Sequence, residues 1–208
     1  YAIANPNTIS AVVTPTFGDI KRVAFGGVSG IMTLMPRTEL IDGRGQGYNA
    51  TSQEIRLKNG SKIIGFSATE PDRVRGPQFH RAWCDELAAW RYPETFDQLM
   101  FGLRLGHKPQ CIITTTPKPT KIIKELMNRS GVHITKGNTF ENAQNLAPSA
   151  LAALEDKYGS TVLGRQELYA EIVDEVEGAL WDNKILDDNR INENDLPEMR
   201  RIVVSIDP

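Results

Sequence analysis

The sequence predicts an α/β fold built on a mainly parallel sheet with helices on both faces. Three observations predict it. Short apolar, β-branched runs alternate with amphipathic stretches over residues 1–137, the pattern of βαβ units. Prolines open two of the amphipathic stretches, at Pro93 and Pro119, where a helix tolerates them best. One apolar run ends in two acids, Asp85-Glu86, and open α/β sheets carry their ligands at the carboxyl ends of strands.

Each element has its own signal. Residues 8–14 form an apolar, β-branched run ending in Thr14-Pro15-Thr16, which reads as a buried strand. A helix is expected from about Gly18, carrying Ile20, Val23 and Ala24, until Gly26-Gly27 and Gly30 interrupt it. Residues 36–47 are rich in Gly and Arg and read as a loop. Residues 52–57 and 62–67 alternate polar and apolar around Asn59-Gly60, which predicts a hairpin with a tight Asn-Gly turn. Residues 70–77 are a charged loop. Strands are expected at 79–84, 110–116 and 132–136, and helices at 93–103 and 119–128. The character changes at Pro148. Two amphipathic helices, 149–158 and 161–171, flank Gly159-Ser160, and a polar, acidic linker covers 182–200. A new strand then begins at Arg201 and delivers Asp207. Both ends read as cut, so the chain is expected to be a fragment.

Composition narrows the class. With 40% hydrophobic and 24% charged residues, the chain is an ordinary globular sequence. No apolar run reaches the ~18 residues of a membrane span. The first residues lack the basic-then-apolar pattern of a signal peptide. Cys84 and Cys111 each lie in an apolar run and are expected to be free thiols of a reducing compartment. His80, His107 and His133 are too dispersed for a zinc site. The net charge of −2 hides an asymmetry: residues 1–140 carry 18 Lys/Arg against 11 Asp/Glu, and residues 141–208 carry 6 against 15. A basic front part is compatible with a polyanion such as nucleic acid, and equally with plain surface charge.

Asp85-Glu86 is the strongest chemical signal. A strand that ends in Asp-Glu can orient Mg²⁺ through its waters with the Asp and polarise an attacking water with the Glu. Taken alone, the same pattern describes a strand ending in solvated acids. The next strand ends in Thr114, Thr115 and Thr116, hydroxyls suited to sensing a γ-phosphate, although threonines also favour strands and helix caps. Arg73 and Arg75 lie on the preceding loop, where an arginine can reach a developing phosphoryl charge or simply face solvent. Gly26-Gly27-Val28-Ser29-Gly30 and Gly43-Arg44-Gly45-Gln46-Gly47 both lack the Gly-Lys-Ser/Thr ending of a phosphate loop.

These residues also carry a family likeness. Glu70-Pro71-Asp72-Arg73-Val74-Arg75-Gly76-Pro77-Gln78 runs into Trp83-Cys84-Asp85-Glu86-Leu87-Ala88-Ala89-Trp90. Leu99-Met100-Phe101-Gly102-Leu103-Arg104-Leu105-Gly106 and Thr114-Thr115-Thr116-Pro117-Lys118-Pro119 follow. Leu163-Gly164-Arg165-Gln166-Glu167-Leu168 and Gly178-Ala179-Leu180-Trp181 come last. In this order, over nearly the whole chain, they resemble the large terminase subunit, the DNA-packaging motor of tailed phages and prophages.

The resemblance implies a P-loop NTPase-type fold lacking its phosphate-loop strand. It implies an ATPase core at 1–147, a helical lid at 148–182, a linker at 183–200 and the first strand of an RNase H-like nuclease at 201–208. ATP and Mg²⁺ would be the motor's cofactors, with Mg²⁺ or Mn²⁺ for the nuclease. Asp85 would orient Mg²⁺, Glu86 would be the catalytic base, and Arg75 would act on a neighbouring subunit's ATP. Thr114, Thr115 and Thr116 would couple hydrolysis to DNA movement, and Asp207 would be the first nuclease metal ligand. Partners would be double-stranded DNA, the portal protein and procapsid, the small terminase subunit and further copies in a ring, all in the host cytoplasm with no membrane. Lacking the phosphate loop and the later nuclease acids, the fragment itself is expected neither to bind ATP tightly nor to cut DNA. A helicase-like DNA-dependent ATPase and a non-catalytic prophage remnant are the alternatives.

Overall fold

The computed structural model describes residues 1–41, 47–173, 185, 188–190 and 201. Residues 42–46, with most of the second glycine-rich stretch, the segment Gly178 to Trp181, most of the expected linker, and Asp207 lie outside the described residues.

Six strands form one sheet: β1 Ile9–Thr14, β2 Tyr48–Asn49, β3 Glu54–Arg56, β4 Lys62–Ser67, β5 Arg81–Asp85 and β6 Gln110–Thr114. Their spatial order is β2-β3-β4-β1-β5-β6. The last four in that order run parallel, and β2 and β3 add an antiparallel margin. The short strand β2 carries no sequence signal. Central β1 is apolar on both faces, as a strand covered from both sides requires. Ala11 and Val13 point into one core with Phe66, Phe79, Ala82, Cys84 and Leu99. Val12 points into the other with Ile20, Phe25, Ile55 and Leu57.

Helices cover both faces. On the Val12 side the chain leaves β1 through a turn, α1 Phe17–Asp19, and continues as a π-helical turn, Ile20–Phe25. The expected regular helix is thus wound more loosely, and it closes where the Gly26 amide donates to the Lys21 carbonyl at 3.0 Å. Helix α2, Ile31–Leu34, follows, and then a 3₁₀ turn, Arg37–Glu39, inside the expected loop. The charged loop at 70–77 holds a one-turn helix, α3 Pro71–Val74, opened by its proline. On the other face, α4 Glu94–Gly102 buries Thr95, Phe96, Leu99 and Gly102, one helical stripe. Helix α5, Lys121–Met127, buries Ile123.

The hairpin forms where predicted, with a longer turn. The Gly60 amide donates to the Leu57 carbonyl and the Leu57 amide to the Ser61 carbonyl, so residues 58–60 make a three-residue loop. Its last residue, Gly60, sits at φ +84, the left-handed position such a loop reserves for glycine. The expected strand at 132–136 does not form. Val132 and Ile134 are exposed and wall an apolar groove of about 440 Å³ with Ile113, Ile123 and Leu126. The groove separates them from β6, whose outer edge stays unpaired among the described residues.

Beyond a 3₁₀ segment, Thr139–Asn145, two helices pack together: α6 Pro148–Tyr158 and α7 Val162–Glu167. Helix α7 ends earlier than the sequence suggested. The Thr161 hydroxyl caps it, accepting from the Gly164 amide at 3.0 Å. A Cβ at Gly164 would run into the Tyr158 carbonyl, so the close approach of the two helices needs glycine there.

Phe79 ties the loop after α4 to the sheet. Its amide donates to the Gly102 carbonyl at 2.8 Å and its carbonyl accepts from the Leu105 amide at 3.0 Å. Its ring is fully buried and meets Phe66 edge to face, centroids 5.6 Å apart. Phe79→Ala removes this ring and is expected to cost about 3–5 kcal/mol of stability. Chemical denaturation measures it, and a loss below ~1 kcal/mol would mean that the site collapses freely around the gap.

Candidate functional site

The four parallel strands end on one edge of the sheet. Asp85 closes β5 in register with Thr114 at the end of β6, and Thr14 closes β1 beside Ser67. The sequence places the Asp85-Glu86 pair and Thr114, Thr115 and Thr116 at the carboxyl ends of neighbouring strands, and the fold brings all five together.

Thr114 is the link to Asp85. Its hydroxyl accepts from the Trp83 indole N–H at 2.8 Å and donates to Asp85 Oδ1 at 2.9 Å. Trp83 and Asp85 share a face of β5, two residues apart, as the pleat dictates. The Asp85 carbonyl accepts from the Trp90 indole at 2.9 Å, so buried Trp90 holds the backbone at the strand's end. Asp85 Oδ2 accepts no hydrogen bond among the described residues.

Glu86 leaves the strand abruptly. It adopts φ 50 and ψ 50, a left-handed conformation that costs a non-glycine residue about 1–3 kcal/mol and concentrates at active sites. The bend sends the chain into a 3₁₀ turn, Leu87–Ala89, and buries Leu87. The Glu86 carboxylate is held on one oxygen only. Oε1 accepts from the Thr116 amide at 2.9 Å and lies 3.3 Å from the Thr115 hydroxyl. That hydroxyl also accepts from the Ala88 amide at 3.0 Å. Oε2 accepts no hydrogen bond among the described residues.

The sequence reading missed three contributors. Trp83 opens a stretch that carries the family likeness, and strand parity with Asp85 was the one signal pointing it at the site. Asp19 stands at the end of α1, where its carboxylate accepts from the Thr16 hydroxyl at 2.6 Å and the Thr16 amide at 3.1 Å. The Thr16-x-x-Asp19 spacing is a capping box and was readable as one. Glu167, on α7, is 3.3 Å from the Thr116 hydroxyl.

Burial pushes the Asp85 carboxyl above its ordinary value, and the charges of Glu86 and Asp19 push the same way, against the Thr114 hydrogen bond. The native state therefore holds the proton longer than the unfolded chain does, and stability falls as pH climbs through the interval above the ordinary aspartate value. Asp85→Asn keeps an oxygen for Thr114 and removes the charge. It is expected to raise Tm near neutral pH, and the gain should vanish as pH drops below about 4. Thermal melts across pH check this, and a gain independent of pH would refute it.

The two candidate arginines differ. Arg73 pairs with Glu70 at 3.1 Å. Arg75 is exposed at the end of α3, and among the described residues it makes no hydrogen bond or ion pair, with Asp85 or Glu86 or any other group. Cys84 and Cys111 are free thiols, as expected, on neighbouring strands with sulfurs 3.6 Å apart. Burial pushes the Cys84 thiol well up, so it is inert packing. His80 works at the opposite end of the sheet, where Nδ1 accepts from the Ile9 amide.

Among the described residues no cluster of three or more His, Cys, Asp or Glu could hold a metal ion. Asp85 and Thr114 offer one carboxylate and one hydroxyl. That sparse set suits Mg²⁺, which keeps several waters and takes further ligands from substrate phosphates. Among the described residues no helix is long and apolar enough to cross a membrane.

The fold and its edge have relatives. The ATPase domain of the Thermus phage P74-26 large terminase superposes with a TM-score of 0.53 at 20% identity, over 82% of this chain and 78% of that one. The large terminase of a second thermophilic bacteriophage, in complex with ATP-γ-S, gives 0.58 at 15% identity, over 81% of this chain and 41% of that one. The ADP complex of that same terminase gives 0.58 at 13% identity with the same coverage. These likenesses concern the fold. No curated protein matches the sequence. The family model described as "Terminase large subunit, T4likevirus-type, N-terminal" matches residues 13–188. The chain belongs to the terminase large subunit family, and what it represents is the family's N-terminal part.

Proposed function

We propose that this chain is the ATPase core of a DNA-packaging motor, with Asp85 and Glu86 as its hydrolytic acids. One observation carries the reading. Glu86 is anchored through Oε1 by the Thr116 amide, with the Thr115 hydroxyl shared between Oε1 and the Thr116 carbonyl, while Oε2 stays open, the arrangement of a base that is oriented yet able to take a proton from water.

The roles follow from the geometry. Asp85, held through Oδ1 by Thr114, would be the acid that holds Mg²⁺. The ion, when bound, neutralises charge on the β- and γ-phosphates. Glu86 Oε2 orients the attacking water and accepts its proton. Thr114, Thr115 and Thr116 fix both acids, so a change in either acid reaches β6 directly. Arg75, exposed at the end of α3, serves a neighbouring subunit's nucleotide. The relatives solved with ADP and ATP-γ-S support nucleotide binding by the protein.

DNA is the polyanion for the basic front part, gripped by phosphate contacts with little reading of sequence. The portal protein, the procapsid and the small terminase subunit complete the machine in the host cytoplasm. Asp207 begins the nuclease. The family match speaks against the helicase-like alternative. The remnant alternative is decided by one assay: Mg²⁺-dependent ATP turnover by the full-length protein, lost in Glu86→Gln. Absence of turnover in the unmutated full-length protein would favour the remnant.

A further inference from the structure

Thr116 is held by both of its polar hydrogens, and the two holds lead to different parts of the molecule. Its amide donates to Glu86 Oε1 at 2.9 Å. Its hydroxyl lies 3.3 Å from Glu167 Oε2, at the end of α7. The β5–β6 ladder stops at Asp85 and Thr114, so no strand pairing fixes Thr116. The Glu167 end is itself docked. The Glu167 carbonyl accepts from the Thr139 hydroxyl at 3.2 Å, and the Leu168 carbonyl from the Thr139 amide at 2.8 Å. Three residues after Glu167, Ala170 takes φ 53, a bend that sets the direction in which the chain leaves α7.

We infer that Glu167 is a positioning residue for the catalytic acid, acting through Thr116; the inference rests on the role proposed for Glu86. With Glu167 in place, the Thr116 hydroxyl is tethered and its amide stays aimed at Oε1. When α7 moves away, Thr116 is free to turn, Oε1 loses its firmest donor, and Glu86 can leave the orientation that serves water. The position of α6 and α7 is thereby read at the hydrolytic acid by one threonine. Glu167 is exposed, and an exposed contact of this length adds little to stability. Its removal therefore reports on positioning and spares the fold.

The test is steady-state ATP hydrolysis with Mg²⁺ by the full-length protein and its variants. Glu167→Ala and Thr116→Val are each expected to lower kcat about three- to tenfold, the worth of one hydrogen bond, with KM for ATP unchanged. The double variant should be no slower than either single one, because both remove the same link. Glu167→Gln should restore the rate, since its amide oxygen accepts the same hydroxyl. Single variants at the unmutated rate, multiplied losses in the double variant, or failure of glutamine to rescue would each overturn the inference. Glu86→Gln, assayed alongside, separates the two readings. Turnover surviving in that variant sinks the role of Glu86 itself; an inactive Glu86→Gln beside an unaffected Glu167→Ala sinks only the positioning role.

Discussion

Glu86→Gln in the full-length protein is expected to lower ATP turnover by about 10²–10⁴-fold, the worth of a placed general base, while nucleotide binding persists. The amide keeps an oxygen for the Thr116 N–H and the Thr115 hydroxyl, so the 2.9 Å anchor survives. What disappears is the ability to take a proton. The loss should fall on kcat, because the missing interaction belongs to the transition state. Binding of a nucleotide analogue, measured separately, should remain within about threefold of the unmutated protein. Equal losses of binding and turnover would instead place Glu86 in the framework of the site.

Arg75→Ala is expected to have a comparable or larger effect, about 10³-fold or more, the usual worth of an arginine that meets a transferring phosphoryl group. The loss should appear only where subunits assemble. Arg73→Ala should do little, since Arg73 is spent on Glu70. The decisive experiment mixes two inactive proteins. If Arg75 works across an interface, subunits with Arg75→Ala still offer Glu86, and subunits with Glu86→Gln still offer Arg75. A head-to-tail ring formed from equal amounts then contains productive interfaces at roughly a quarter of its sites, and turnover returns. No recovery on mixing would assign Arg75 to its own subunit or to structure alone.

Most of the sheet and the acid centre could be read from sequence because they rest on short-range signals. The alternation around Asn59-Gly60, the run from Ile9 to Thr14 and the prolines before α4 and α5 each fix local backbone choices. Asp85 was legible because a strand's end is where a parallel sheet presents ligands. The missed parts depend on distance. Nothing near Val132 reveals that its segment stays off the free edge of β6, since pairing is decided by what lies across space. Glu167 lies in a stretch that carries the family likeness but showed no site role, and only folding puts it beside Thr116, 51 residues away in sequence. The π-helical turn after Asp19 was hidden because its residue types suit an ordinary helix as well.

The left-handed backbone at Glu86 also bears on how this site can change over time. Glycine or asparagine would occupy that conformation more cheaply than glutamate, so drift toward a sturdier fold pushes position 86 away from the side chain proposed as the base. The position is thus a local conflict between endurance and turnover. With the role proposed for Glu86, a lineage that stopped packaging DNA would be expected to lose this acid early.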